Sequence, residues 1–239
     1  MLRTIPTTYS VALISNQGGI ISRVFFIGAT GGVGHRLLPQ LVEQGHQVTA
    51  LHRKPEQADS LRQQGATPIE GDMMTLSRDD YIALLKDQEI IVFSAGAAGS
   101  GKDRTSKIDG DTPALLAEIA EELGIQRFYL VSAFPEAGRT KGLGEGFEHY
   151  MQVKKAADAR LVKSSLDWII LRPGTLLDEE ADDKVSLDYA LTYGSVKRGN
   201  VANTLAALIA KPTIRRQIIE LTDGDEHLND AVQRLLTTS

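Results

Sequence analysis

Apolar residues along this chain fall into short unbroken runs separated by stretches of helical period. The first run, Val24-Phe25-Phe26-Ile27, leads through glycines into Leu37, Leu38, Leu41 and Val42, which recur at the spacing of one helix face. A second run, Val48-Thr49-Ala50-Leu51, follows. Short apolar runs without alternation fit strands buried on both faces, as in a parallel sheet covered by helices. Continued along the chain, the pattern predicts strands at about 23–28, 47–51, 67–70, 89–93, 127–131 and 167–171. It predicts helices at about 32–44, 55–64, 77–86, 108–123 and 148–163, the third capped by Ser77. Past Gly174 the periodicity weakens to short strands near 184–187 and 194–197, a helix at 200–210, a strand at 216–221 and a last helix at 226–236. Strands alternating with helices give an α/β fold: a Rossmann-type doubly wound parallel sheet, three layers deep (α/β/α), with a small C-terminal substrate lobe. No internal repeat or Pro/Ser-rich linker divides residues 23–239, read as one NAD(P)-binding domain; residues 1–22 are read as a loosely ordered N-terminal extension.

Composition narrows the function classes. A 42% hydrophobic content supports a sizeable core. A net charge of −5 with scattered basic residues does not point to nucleic acid. The chain has no cysteine, which removes thiolate catalysis and Cys-ligated metals and fits a reducing, cytoplasmic compartment. No apolar run approaches the roughly 20 residues that span a bilayer. The five histidines lack metal-ligand spacing, and His149 is read as solvated, so no metal is expected. The expected partner is a small-molecule substrate, and the chain is read as a monomer or homodimer.

Gly28-Ala29-Thr30-Gly31-Gly32-Val33-Gly34 stands between the first strand and the first helix. The spacing G-x-x-G-x-x-G makes a tight turn whose free backbone N–H groups, with the positive end of the helix dipole, suit a pyrophosphate. Side chains at Gly28 or Gly31 would hinder the phosphates, and Gly34 lets the helix pack on the strand. The other reading is an ordinary strand–helix turn; the surrounding βαβ pattern favours the dinucleotide site.

The residue just past the second strand meets the adenosine ribose in such a fold. Here stand Arg53 and Lys54, with no carboxylate before Glu56. A guanidinium fork suits a 2′-phosphate, so NADP(H) is favoured over NAD(H); the alternative is a pair of solvated loop charges. Asp72 and Met73 are placed beside the adenine, unless Asp72 only caps the next helix. Ser94-Ala95-Gly96 end the fourth strand with small residues that leave room for a ligand, and Ala97–Lys107 reads as a mobile loop over it.

Ser132 ends the fifth strand, and Tyr150 and Lys154 lie one helical turn apart. A nearby ammonium lowers a phenol's pKa from about 10 and suits it to proton donation as hydride arrives at a carbonyl. Lys154 can also bond the nicotinamide ribose, and Ser132 can hold the substrate oxygen. Alternatively Y-x-x-x-K is a chance pairing and Tyr150 packs on the sheet.

On these motifs, together with Gly71-Asp72, Val131-Ser132-Ala133 and above all Ser165–Gly174 (SLDWIILRPG), the chain resembles the short-chain dehydrogenase/reductase superfamily over Arg23–Gly224. The similarity is to its atypical NAD(P)H-binding branch, which includes NmrA-like and biliverdin-reductase-B-like proteins and bacterial proteins labelled NAD(P)-dependent epimerases. The resemblance implies a Rossmann fold holding NADP, with Thr30, Gly32, Val33 and Pro173 also at the cofactor. The family's Asn, Ser, Tyr and Lys map onto Asp109, Ser132, Tyr150 and Lys154. Asp109 departs from Asn and can pair with Lys154; the eighteen-residue step from Ser132 to Tyr150 is longer than usual in the family. The expected activity is hydride reduction of a small carbonyl or quinone-like substrate. The alternatives are a catalytically weak NADPH-binding sensor and, less favoured because few residues follow Gly174, a sugar epimerase.

Overall fold

The computed structural model describes residues 21–135, 137–138 and 142–238. The N-terminal expectation therefore lies almost wholly outside the described residues. Ser22 is inside them and is not loose: its backbone N–H donates to His46 Nδ1 at 3.2 Å, and its hydroxyl accepts from Arg127 at 2.6 Å.

The apolar runs become the strands β1 (Arg23–Ile27), β2 (Gln47–His52), β3 (Thr67–Glu70), β4 (Ile90–Phe93), β5 (Arg127–Val131) and β6 (Asp167–Pro173). With β10 (Gln217–Asp223) they pair in parallel in the order β3-β2-β1-β4-β5-β6-β10. β8 (Lys184–Asp188) runs antiparallel to β10, and β11 (Glu226–His227) completes the nine-stranded sheet. The alternation of a strand's side chains accounts for the unbroken apolar runs. Val24 and Phe26 enter one core, under helices α1 (Gly34–Glu43), α7 (Arg198–Ile209) and α8 (Leu228–Thr238). Phe25 and Ile27 enter the other, with residues of α3 (Arg78–Leu85), α5 (Thr112–Leu123) and α6 (Glu145–Val162). After Gly174 the chain adds its strands to the sheet's far edge, and β7 (Thr175–Leu177) pairs with β9 (Ser195–Lys197) in a small second sheet that the sequence pattern half missed.

Strand order reverses between β1 and β4: β2 and β3 lie on one side of β1, β4 to β6 on the other. A doubly wound sheet opens a crevice at this point, beyond the carboxyl ends of its strands.

One expectation fails here. Residues 97–107 are not a loop throughout: helix α4 begins at Lys102 and continues as a π-helical segment over Ser106–Asp111 into α5. Gly101, at φ 106°, supplies the turn into it, and the glycine and basic content that suggested a loop marks only this entry. Pro113 explains the wide register: it has no N–H, and in an α-helix its ring would strike the carbonyl of Asp109. Helix α6 likewise starts three residues before the predicted 148, after Gly144 at φ 83°.

Candidate functional site

A cavity of about 840 Å³ lies at the crevice. Its floor is the glycine turn. Gly28, at φ 98°, follows β1; a Cβ there would stand 2.5 Å from Ala95 N, so only glycine fits between the ends of β1 and β4. Gly31 N–H donates to Gly28 O at 2.9 Å and closes the turn. A Cβ on Gly34 would lie 1.9 Å from Gly28 O, so this glycine seats α1 on the turn from below and is not part of the wall. Thr30, Gly31, Gly32 and Val33 line the cavity, as do Ser94, Ala95 and Gly96 across from them.

At one end stand Arg53, Asp72 and Met73. Arg53 is exposed and has no carboxylate partner among the described residues, whereas Lys54 turns to Glu56 at 3.9 Å and does not line the cavity. Asp72 caps no helix: its Oδ1 accepts from Met74 N at 3.0 Å, shaping the turn after β3, while Ser77 caps α3. Pro173 is buried at the end of β6, outside the wall. Two residues not singled out in the sequence, His52 and Gln57, complete this end; Gln57 Oε1 accepts the backbone N–H groups of Arg53 and Lys54 at 3.2 and 3.0 Å and fixes the loop.

Asp109, Ser132, Tyr150 and Lys154 meet at the other end. The π-helical segment carries Asp109 inward, 1% exposed, where its Oδ2 accepts from Ala97 N at 3.0 Å. Lys154, 3% exposed, donates to Val131 O at 2.9 Å and stands 3.7 Å from Asp109 Oδ1. Burial pushes the Asp109 carboxyl up and the Lys154 ammonium down, and their mutual attraction opposes both shifts. Tyr150 overturns an expectation. Its phenol lies above the ordinary tyrosine value, chiefly through burial and then through the negative fields of Asp109 and Asp158. Lys154 is not among the groups that set it, and its ammonium is held by Val131 O and Asp109. The phenol is therefore a neutral proton donor. His149 also departs from the solvated reading: its Nε2 lies 2.8 Å from Ser106 Oγ.

The pattern missed a second buried pair. Asp158 continues the four-residue step of Tyr150 and Lys154 on α6 and takes both Nε and Nη2 of Arg172 on Oδ2, at 3.0 and 2.9 Å. Its Oδ1 and the buried Ser132 Oγ each lack a well-formed hydrogen bond, yet the hydroxyl is near enough to pull the carboxyl down against the stronger upward push of burial. The step i, i+4, i+8 was visible in the sequence; the ion pair with β6 was not. Phe147 packs on Tyr150 at 6.1 Å between ring centres and borders the cavity with Arg104 and Ile108.

Residues 28–212 match the model of an NAD(P)H-binding family. The chain belongs to this NAD(P)H-binding family. Among its relatives is the Bacillus subtilis protein named "Uncharacterized sugar epimerase YhfK", 34% identical over 89% of this chain and all of that one. A solved structure from Bacillus halodurans, named with the NAD-dependent epimerases/dehydratases, superposes with a TM-score of 0.80 at 30% identity, covering 89% of this chain and 99% of the other. ChuY, described as an anaerobilin reductase of Escherichia coli O157:H7, superposes with a TM-score of 0.69 at 27% identity, over 86% and 98% of the two chains. The family and these neighbours establish an atypical short-chain dehydrogenase/reductase with an NAD(P)H-binding, oxidoreductase-like fold. The cradle fits that cofactor: Gly28, Gly31 and Gly32 line it with backbone alone, and the cavity runs from Arg53 to Lys154. Among the described residues no group of three or more His, Asp or Glu side chains is placed to hold a metal, and no helix is long and apolar enough to cross a membrane.

Proposed function

We propose that the chain is an NADP(H)-dependent reductase of a small carbonyl or quinone-like substrate. The observation that carries this reading is the neutral Tyr150 phenol facing the same cavity as the glycine turn. A bound reduced nicotinamide supplies hydride. Tyr150 supplies the proton to the carbonyl oxygen, so that carbonyl, hydride and proton together give the alcohol. Ser132 lies behind that position, its hydroxyl buried beside Asp158, and would orient the oxygen by rotating toward the cavity. Lys154, held by Val131 O and Asp109, keeps a positive charge beside the developing negative one and offers N–H donors to the nicotinamide ribose.

Replacing Tyr150 with Phe tests this. Turnover with a carbonyl and quinone panel should fall about 10²-fold or more, the usual worth of a positioned acid, with NADPH affinity unchanged. Undiminished turnover would remove Tyr150 as the acid. The preference for NADP rests on Arg53, a cation without a carboxylate partner at the adenosine end. Arg53→Ala should weaken NADPH binding about tenfold and leave NADH binding as it was; equal loss for both, or none, removes Arg53 from the 2′-phosphate.

The second reading is an NADPH-binding sensor with little chemistry. The Asp109–Lys154 contact favours it, since it draws the ammonium away from the phenol. No turnover across the panel, with NADPH binding retained, would decide for it. Sugar epimerisation, which one relative's name suggests, would run with no net consumption of the nicotinamide.

A further inference from the structure

Two cations in the cavity wall have no part in the reading above: Arg104, which donates to Ser100 Oγ at 3.2 Å, and Arg198. Arg198 opens α7, far along the chain from the glycine turn, yet a Cβ on Gly32 would stand 2.6 Å from both its Cδ and its Nε. The arginine stem therefore lies across the backbone of Gly32, and both residues line the cavity. The Arg198 guanidinium makes no hydrogen bond among the described residues. Its acidic neighbour is Asp178, at 3.7 Å, too long for a hydrogen bond. Asp178 is shared with Arg36, 3.3 Å away. Arg36 in turn donates to Gly32 O at 2.7 Å and to Glu180 at 2.7 Å. The acidic stretch after β7 thus ties the glycine turn and Arg198 together from outside, while the guanidinium keeps donors free.

Chemistry asks for such a group. A dinucleotide pyrophosphate carries two negative charges, and the turn itself, Gly28 to Gly34, has only backbone N–H groups and one hydroxyl to meet them. A guanidinium matches phosphate oxygens with paired donors. We propose that Arg198, its stem laid across Gly32, clasps the pyrophosphate held over the turn, and that residue 32 is glycine so that this arginine can cross it. The proposal rests on the dinucleotide reading of the cavity and adds to it a residue from the C-terminal part of the chain.

Dissociation constants for NADPH and NADH, measured by titration calorimetry on the wild type and on R198A, G32A and the double variant, test it. Arg198→Ala should weaken both dinucleotides by the same factor, about ten- to a hundredfold, because the pyrophosphate is common to them. Gly32→Ala should weaken both in the wild-type background and neither in the R198A background, since the clash it creates is with the arginine. An unchanged urea midpoint in R198A shows that the loss is in the site, and Arg198→Gln, which keeps a polar stem without the charge, should behave as R198A. Tight binding by R198A equal to wild type overturns the clasp alone. Loss of NADPH affinity only would make Arg198 a 2′-phosphate contact and also overturn it. A G32A loss that persists without Arg198 overturns the account of Gly32. Binding of neither dinucleotide by the wild type removes the cofactor reading, and the clasp with it.

Discussion

Tyr150 and Lys154 show how far residue spacing reaches and where it stops. Four residues on a helix put two side chains on one face. That placed Tyr150, Lys154 and, unnoticed, Asp158 toward the sheet. What each does there depends on the groups opposite. The carbonyl of Val131 and the carboxylate of Asp109 hold the ammonium, and the field around the phenol is negative, so its pKa rises. A group pushed above its ordinary pKa of about 10 stays protonated throughout the neutral range. Reduction should therefore keep its phenol protonated up to about pH 10, and an alkaline loss of kcat before that point belongs to Lys154, whose ammonium burial pushes down; a descending limb near pH 7–8 that persists in Lys154→Met would show that the phenol itself is lowered. Arg53 and Lys54 make the same point at the other end of the cavity. Adjacent in sequence, they differ because only Lys54 has a glutamate within reach.

At the scale of elements, the glycine turn is held by contacts on both sides. Gly28 meets the end of β4 and Gly34 meets Gly28 O, so β1, β4 and α1 share one close-packed joint. Adding a methyl at Gly34 leaves no room unless the helix shifts. Gly34→Ala should cost about 3 kcal/mol or more, at the upper end of overpacking, read as a lowered urea midpoint. A loss under 0.5 kcal/mol would mean that α1 slides freely on the strand. The helix that carries Asp109 shows the opposite behaviour. Pro113 is accommodated by a π-helical segment, and that widened turn sets the carboxyl inside the cavity. π-helical turns often occur at functional sites.

The whole molecule decides where the cavity lies. It opens at the reversal of strand order and draws its wall from β1, β2, β4, β5, α6 and the start of α7, so a ligand there joins parts from nearly the full chain. A ligand that binds only this folded arrangement stabilises all of it. NADPH at a hundred times its dissociation constant should add about 2.7 kcal/mol, seen as a Tm rise of roughly 5–10 °C for a chain of this size. No rise on saturation would show that the cavity does not take the dinucleotide.

Local patterning determined the strands, most helices, the fold class and the glycine turn, because a buried parallel strand needs an unbroken apolar run and a phosphate turn needs glycines at fixed steps. It also brought forward Ser132, Tyr150 and Lys154, since small strand ends and four-residue helical steps are local features. Only the tertiary structure decided the charges. Arg172 reaches Asp158 from β6, Asp109 turns inward on a π-helical segment, and Arg198 crosses Gly32 from the far end of the chain. Partners in an ion pair or across a glycine are set by which elements become neighbours, and electrostatic effects depend on burial and distance, neither of which a sequence spells out.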